Sequence, residues 1–288
     1  MIALSCEARP LVERFRLEAR ETAGDYRVFT GRRSDGEDIS LIVSGVGKAA
    51  AAGAVGYLMG KLGTGNTTSG RGDLVTPAWL SVGMAGHGER EVGEVVLAHK
   101  VTDEATAQSF YPSPVFELPC VTDNLLTVDQ PVGKDRSYPP GTACDMEASA
   151  VFATACRFSP LELIHALKIV SDNGRSRLDD LTPKIAEDLV AKHLDLIESF
   201  SRTLLVLQRE HVQKRRSPGD FENIVERWKF TSTQRHQLRR VLSRWEVLAQ
   251  GAALNWQSLA KSRDAREVLR GLEVLVDALP LTLRASSD

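Results

Sequence analysis

The chain has 288 residues, 42% of them hydrophobic, 26% charged and 6% aromatic, with a net charge of −2. That is ordinary globular composition, with enough chain for one large domain, or for one domain and an appendage. It excludes a membrane protein of the helical kind, since no apolar stretch approaches a membrane span.

The opening MIALSCEARP starts apolar and meets Glu7 and Arg9 at once. It lacks the long apolar run of a signal peptide and reads as a first strand. ISLIVS (39–44) reads as a buried strand, GVGK as a tight turn, and AAAAGAVGYLMGKL as a helix. Residues 63–77 form a Gly/Ser/Thr-rich loop. Strands follow at WLSVGMAG (79–86), VGEVVLAHKVT (92–102) and PVFELPCVT (114–122), then a proline-rich loop, DRSYPPGTA. A small-residue helix is expected over 147–157 and a long buried strand over LELIHALKIVSD (161–172). Helix returns from Thr182 to about His211, with Leu189, Leu194, Ile197 and Leu204 near one face. Strands alternating with helices predict an α/β sheet.

KRRSPGD (214–220) is basic and turn-rich, and everything after it reads as helical. We expect an α/β domain over 1–211 and a helical extension over 212–288. Charge supports the division: residues 201–288 hold 16 basic and 10 acidic side chains, a net of +6, and the first 200 residues carry −8. Thr231 and Gln234 stand at capping-box spacing. Leu238, Val241, Leu242, Trp245 and Leu248 then make one apolar stripe, with Arg235, Arg239, Arg240 and Arg244 off it. Val268, Leu269, Leu272, Leu275 and Leu279 are expected to face that stripe from a helix over 263–279. A packing role for the extension is favoured over nucleic-acid binding by the arginine face, because its tryptophans read as core.

Cys6, Cys120, Cys144 and Cys156 form no CxxC pair, and the six histidines show no ligand spacing. We expect no metal and no cofactor. Scattered free cysteines suit a reducing cytoplasm.

GVGK is not a phosphate loop: Ile42 stands where the first glycine belongs, and Ala49 replaces the magnesium-binding hydroxyl residue. SVGMAGHG (81–88) lets a ligand approach the backbone closely. Asp172 ends a buried strand, where open α/β sheets place ligands, although Asp-Asn-Gly is also good turn chemistry. ACDMEASAV (143–151) poses a choice for Glu147: helix N-terminal carboxylate, or group aimed into a site.

Three segments in this order resemble the nucleoside phosphorylase superfamily, above all its methylthioadenosine/S-adenosylhomocysteine nucleosidases. They are ALSCEARPL (3–11), SGVGKAAAA (44–52) with SVGMAGHGEREVGEVVLA (81–98), and DMEASAV (145–151) with KIVSDN (168–173). The resemblance implies a three-layer α/β/α sandwich around a mixed, partly closed sheet, usually in a dimer. It implies that Glu147 holds the ribose hydroxyls with Met146 against the sugar. Asp172, beside Ser171, gives a proton to a purine ring nitrogen, and Glu7 activates water. Gly83, Met84, Ala85 and Gly86 line the substrate site. The reaction implied is hydrolysis of a purine nucleoside or a 5′-modified relative.

The chain also departs from the family pattern. Ser81 and Met84 stand where phosphorylases keep an arginine and a serine for phosphate, which favours water as nucleophile, and Met84 also replaces the serine common in the nucleosidases. Leu125 falls where an aromatic would stack on the base, leaving Phe110, Tyr111 and Phe116 as substitutes. The rival readings are a phosphorylase and a non-catalytic nucleoside sensor.

Overall fold

A computed structural model of the protein describes residues 1–20, 26–33, 36–64, 76–132, 137–173, 181–215, 218–249 and 252–279. Most of the expected 63–77 loop, and parts of 135–143 and 214–220, lie outside these. The chain divides into two compact units, Met1–His211 and Val212–Asp288.

In the first unit the strands are β1 (Glu18–Arg20), β2 (Arg27–Arg32), β3 (Asp38–Val43), β4 (Trp79–His87), β5 (Val95–Asp103), β6 (Ser109–Phe110), β7 (Val121–Thr127), β8 (Thr142–Asp145) and β9 (Ile164–Asp172). The helices are α1 (Ser5–Arg14), α2 (Lys48–Thr64), α3 (Ala148–Ala155), α4 (Pro183–Lys192) and most of α5 (Leu194–Arg215), which runs past the unit's end at His211. Strands β1, β2 and β3 form a small antiparallel sheet. The others form a mixed sheet in the order β6-β5-β7-β8-β4-β9. A further β5–β9 pairing, with Val95 opposite Ile169 and Leu97 opposite Leu167, closes five of them into a ring and leaves β6 outside.

Helices cover both sides, giving three layers. Ala51, Ala54, Val55 and Leu58 of α2 and Val151, Phe152 and Ala155 of α3 share one core with Ala85, Val101 and Leu125. Ala8 and Leu11 of α1, Leu189 and Val190 of α4, and Ile197, Phe200 and Leu204 of α5 share the other with Val82, Leu97, Leu167 and Ile169. Burying each large side chain of this set contributes about 1.5–3 kcal/mol.

Two strand expectations need correction. MIALSCEARP is not a strand beyond its first residues: Ile2 bridges Val43, Val82 N–H donates to Met1 O at 3.0 Å, and α1 begins at Ser5. Glu7 starts that helix by accepting the Leu4 N–H at 2.9 Å. PVFELPCVT does not pair until Val121. Its prolines, Pro114 and Pro119, lack the N–H that a ladder needs, and Phe116 and Cys120 pack on the second core instead.

The second unit holds α6 (Phe221–Arg227), α7 (Ser232–Leu248) and α8 (Ala265–Asp277). Thr231 caps α7, its hydroxyl accepting the Gln234 N–H at 3.3 Å while Gln234 Oε1 accepts the Thr231 N–H at 2.9 Å. Leu238, Val241 and Leu242 pack with Val268, Leu269 and Leu272. Val276, rather than Leu275 or Leu279, completes the α8 face. Among the described residues no helix is long and apolar enough to cross a membrane.

Candidate active site

The turn after β3 puts Gly45 and Gly47 at φ +82° and +98°, a conformation that glycine adopts without strain. This aims the Gly47 N–H at Glu147, whose Oε1 accepts it at 2.8 Å. Glu147 therefore does not cap its own helix. Asp145 does that work: its Oδ2 accepts the Ala148 N–H at 2.8 Å.

Lys168 is the cation beneath these groups. Strand β9 is buried along its whole length. Leu167 and Ile169 enter one core and Ile164 and Ala166 the other, so Lys168 shares the parity of the latter pair. Its Nζ lies 2.8 Å from Asp145 Oδ2. Burial opposes the Lys168 charge, but Asp145, Glu147 and Glu7 outweigh it and hold its pKa above the ordinary lysine value. Asp145 is further fixed by the Thr127 hydroxyl, which donates to Oδ1 at 2.7 Å.

Glu7 reaches the same place from α1. One oxygen accepts the Leu4 N–H and the other accepts the Met84 N–H at 3.2 Å. Burial pushes the Glu7 carboxyl above its ordinary pKa, with those two N–H groups and Lys168 pulling against it. Burial raises Glu147 as well, opposed chiefly by Lys168 and reinforced by Asp145. Asp172, at the end of β9, accepts the Ser171 hydroxyl on Oδ1 at 2.6 Å and the Tyr138 hydroxyl on Oδ2.

These side chains open on one cavity of about 260 Å³, a concave setting of the kind small ligands use. Glu7, Gly83, Met84, Ala85, Gly86, Met146, Glu147, Ser171 and Asp172 all line it. Val46, Val128, Pro131, Val132 and Leu181 supply apolar wall. Four carboxyl groups, those of Glu7, Asp145, Glu147 and Asp172, thus line the cavity together with Lys168.

The expected base-stacking residues are elsewhere. Leu125 is sealed in the core, Phe110 packs on Phe152 at 5.8 Å, and Phe116 packs on His165 and Phe200. Tyr111 is 58% exposed. The aromatic residue on the cavity is Tyr138, hidden in the sequence by a loop with no periodicity. Lys168 did leave a signal, a lone charge inside an apolar run, which requires a buried partner.

No protein-family model matches the sequence, and neither does any curated protein. Solved structures do match. Helicobacter pylori 5′-methylthioadenosine/S-adenosylhomocysteine nucleosidase superposes at TM-score 0.56 and 15% identity, over 70% of this chain and 96% of that one. The chain shares the fold of this nucleosidase. The Neisseria meningitidis nucleosidase of the same name, solved with methylthio-immucillin-A, gives 0.52 at 19% identity, over 69% and 96% of the two chains. Futalosine hydrolase of Helicobacter pylori gives 0.54 at 16% identity, over 70% and 95%. The 70% of this chain that is matched is close to the share that the first unit makes up.

Proposed function

We propose that the protein hydrolyses the N-glycosidic bond of a purine nucleoside or a 5′-modified nucleoside. The observation that carries this reading is the meeting of Glu7, Glu147 and Asp172 in one apolar-walled cavity where the Lys168 ammonium is already paired with Asp145. The nucleosidases among the fold neighbours support it.

The division of labour is the one that the resemblance to the nucleosidases implies. Glu147, tethered by Gly47, holds the ribose hydroxyls, and Met146 packs on the sugar. Asp172 gives a proton to a purine ring nitrogen as the carbon–nitrogen bond breaks. Water, held by Glu7, forms the new bond to the anomeric carbon and leaves its proton on Glu7. Positive charge grows on the sugar in the transition state, and the surplus of carboxylates stabilises it there. The logic parallels two-carboxylate glycoside hydrolysis.

The same surplus argues against phosphate as nucleophile. A phosphate dianion needs cationic as well as hydroxyl partners; Ser81 offers a hydroxyl on the cavity, but Lys168 is committed to Asp145 and Met84 offers neither group. Incubation with a nucleoside panel, with and without phosphate, tests this. Free ribose released without phosphate is the expected result, and strict phosphate dependence overturns hydrolysis. Binding without turnover across the panel supports a sensor instead. The reading includes a homodimer, which sedimentation would test.

A further inference from the structure

Asp172 is not presented to the cavity alone. The Tyr138 ring stands over Gly86 and Gly88 of the β4 end. A methyl group added at Gly86 would meet ring atoms at 2.6 Å, and one at Gly88 would lie 3.0 Å from the Tyr138 Cβ. The hydroxyl donates its hydrogen to Asp172 Oδ2, while Ser171 donates to Oδ1. Burial, followed by the charge and hydrogen bond of Asp172, raises the Tyr138 pKa, so the phenol keeps its proton. Among the described residues Tyr138 is the sole aromatic on the cavity wall.

The polarity of this contact has a chemical consequence. A phenol has one hydrogen to give. With that hydrogen committed to a carboxylate, the Tyr138 oxygen offers a further neighbour only lone pairs. Turning the hydroxyl toward a carbonyl would give up the hydrogen bond to Asp172. Each Asp172 oxygen keeps a second lone-pair direction, so Asp172 can carry a proton for the base while Tyr138 stays in place.

This inference rests on the hydrolytic reading. Of the purine nitrogens away from the glycosidic bond, N7 shares the five-membered ring with N9, so a proton there draws charge out of the breaking bond most directly. The exocyclic group nearest N7 is the C6 substituent. We infer that Tyr138 is the specificity-determining residue of this site, accepting a hydrogen bond from a 6-amino group and disfavouring a 6-oxo group.

The test compares adenosine with inosine as substrates, and adenine with hypoxanthine as ligands by calorimetry, on wild type and Tyr138→Phe. Phenylalanine keeps the ring over Gly86, and circular dichroism checks the fold. Wild type should favour adenosine at least about tenfold in kcat/KM, and Tyr138→Phe should cut that preference at least about tenfold, mainly through adenosine. A merely structural role would lower both substrates together and leave the ratio unchanged, which overturns the assignment. Equal cleavage of both nucleosides by wild type, or a preference for inosine, also overturns it while hydrolysis stands. If neither these nucleosides nor any 5′-modified member of the panel is cleaved, yet adenine binds more tightly than hypoxanthine and Tyr138→Phe erases the difference, Tyr138 keeps its role and hydrolysis fails. Failure of both bases to bind overturns the role of Tyr138.

Discussion

The Nζ of Lys168 stands 2.8 Å from Oδ2 of Asp145, with side-chain exposures of only 3% and 0%. Glu147 and Glu7 add to the field on the same ammonium. One cation therefore makes a crowd of buried carboxyls tolerable. Lys168→Met removes it and leaves Asp145 sealed without a counter-charge. Such a change costs about 3–5 kcal/mol, to be read from urea unfolding. The double variant Asp145→Asn/Lys168→Met should recover part of that loss. A single variant as stable as wild type would show that the pair contributes nothing to the fold.

Asp172→Asn should lower kcat by about 10²–10⁴ on the substrate the panel identifies, with KM nearly unchanged, because the proton acts in the transition state. Glu147→Gln should weaken both binding and turnover, since the sugar is held throughout the reaction. Steady-state kinetics separates the two patterns. Near-wild-type turnover by Asp172→Asn would remove it from the role of acid.

Glu7 must be ionised to take a proton from water, and burial favours its neutral form. Activity should therefore rise with pH through a value above the ordinary glutamic acid pKa of 4.5. In a plot of kcat/KM against pH this is the acidic limb. Glu7→Gln should be inactive over the whole range. A limb at or below 4.5 would disagree with a buried base.

Gly86 leaves room for the Tyr138 ring. Gly86→Ala should overpack this spot, costing about 1–3 kcal/mol and reducing kcat/KM as the phenol leaves Asp172. Adding Tyr138→Ala should restore the melting temperature without restoring activity. If the melting temperature of the double variant stays as low as that of Gly86→Ala, the ring is not what the glycine accommodates.

In the helical unit Leu272 is 0% exposed, between α7 and α8. Leu272→Ala should cost about 2–5 kcal/mol, and loss of the cap in Thr231→Ala about 1 kcal/mol. Denaturation followed by tryptophan fluorescence reports both, since Trp228 and Trp256 belong to this core.

What was legible in the sequence was what periodicity and turn chemistry encode. The apolar runs of β3, β4 and β9, the glycines before α2 and the Thr231 cap all declare themselves locally. Glu7 was legible as an acid but misplaced, since a short bridge at Ile2 and a helix start at Ser5 look like strand and turn in one dimension. Tyr138 was invisible for a different reason. Its place depends on the space above Gly86 and on the Asp172 carboxylate, and both are set by strands more than thirty residues away in the chain. Glu147 was ambiguous until Asp145 was seen to satisfy the helix end.

The pairing of β5 with β9 closes the strand ring on itself. Gly83, Gly86, Lys168 and Asp172 are therefore mounted on staves that cannot splay, because opening the ring would break a ladder on each side. Variation in what the cavity admits then falls to pieces outside the ring that do not touch Asp172: Val46 after β3, Pro131 and Val132 beyond β7, and Leu181 after β9. Chemistry and choice of guest are separable in such a molecule. Exchanging these segments should retune the guest by inheritance or by engineering, while the carboxylates keep their bearings.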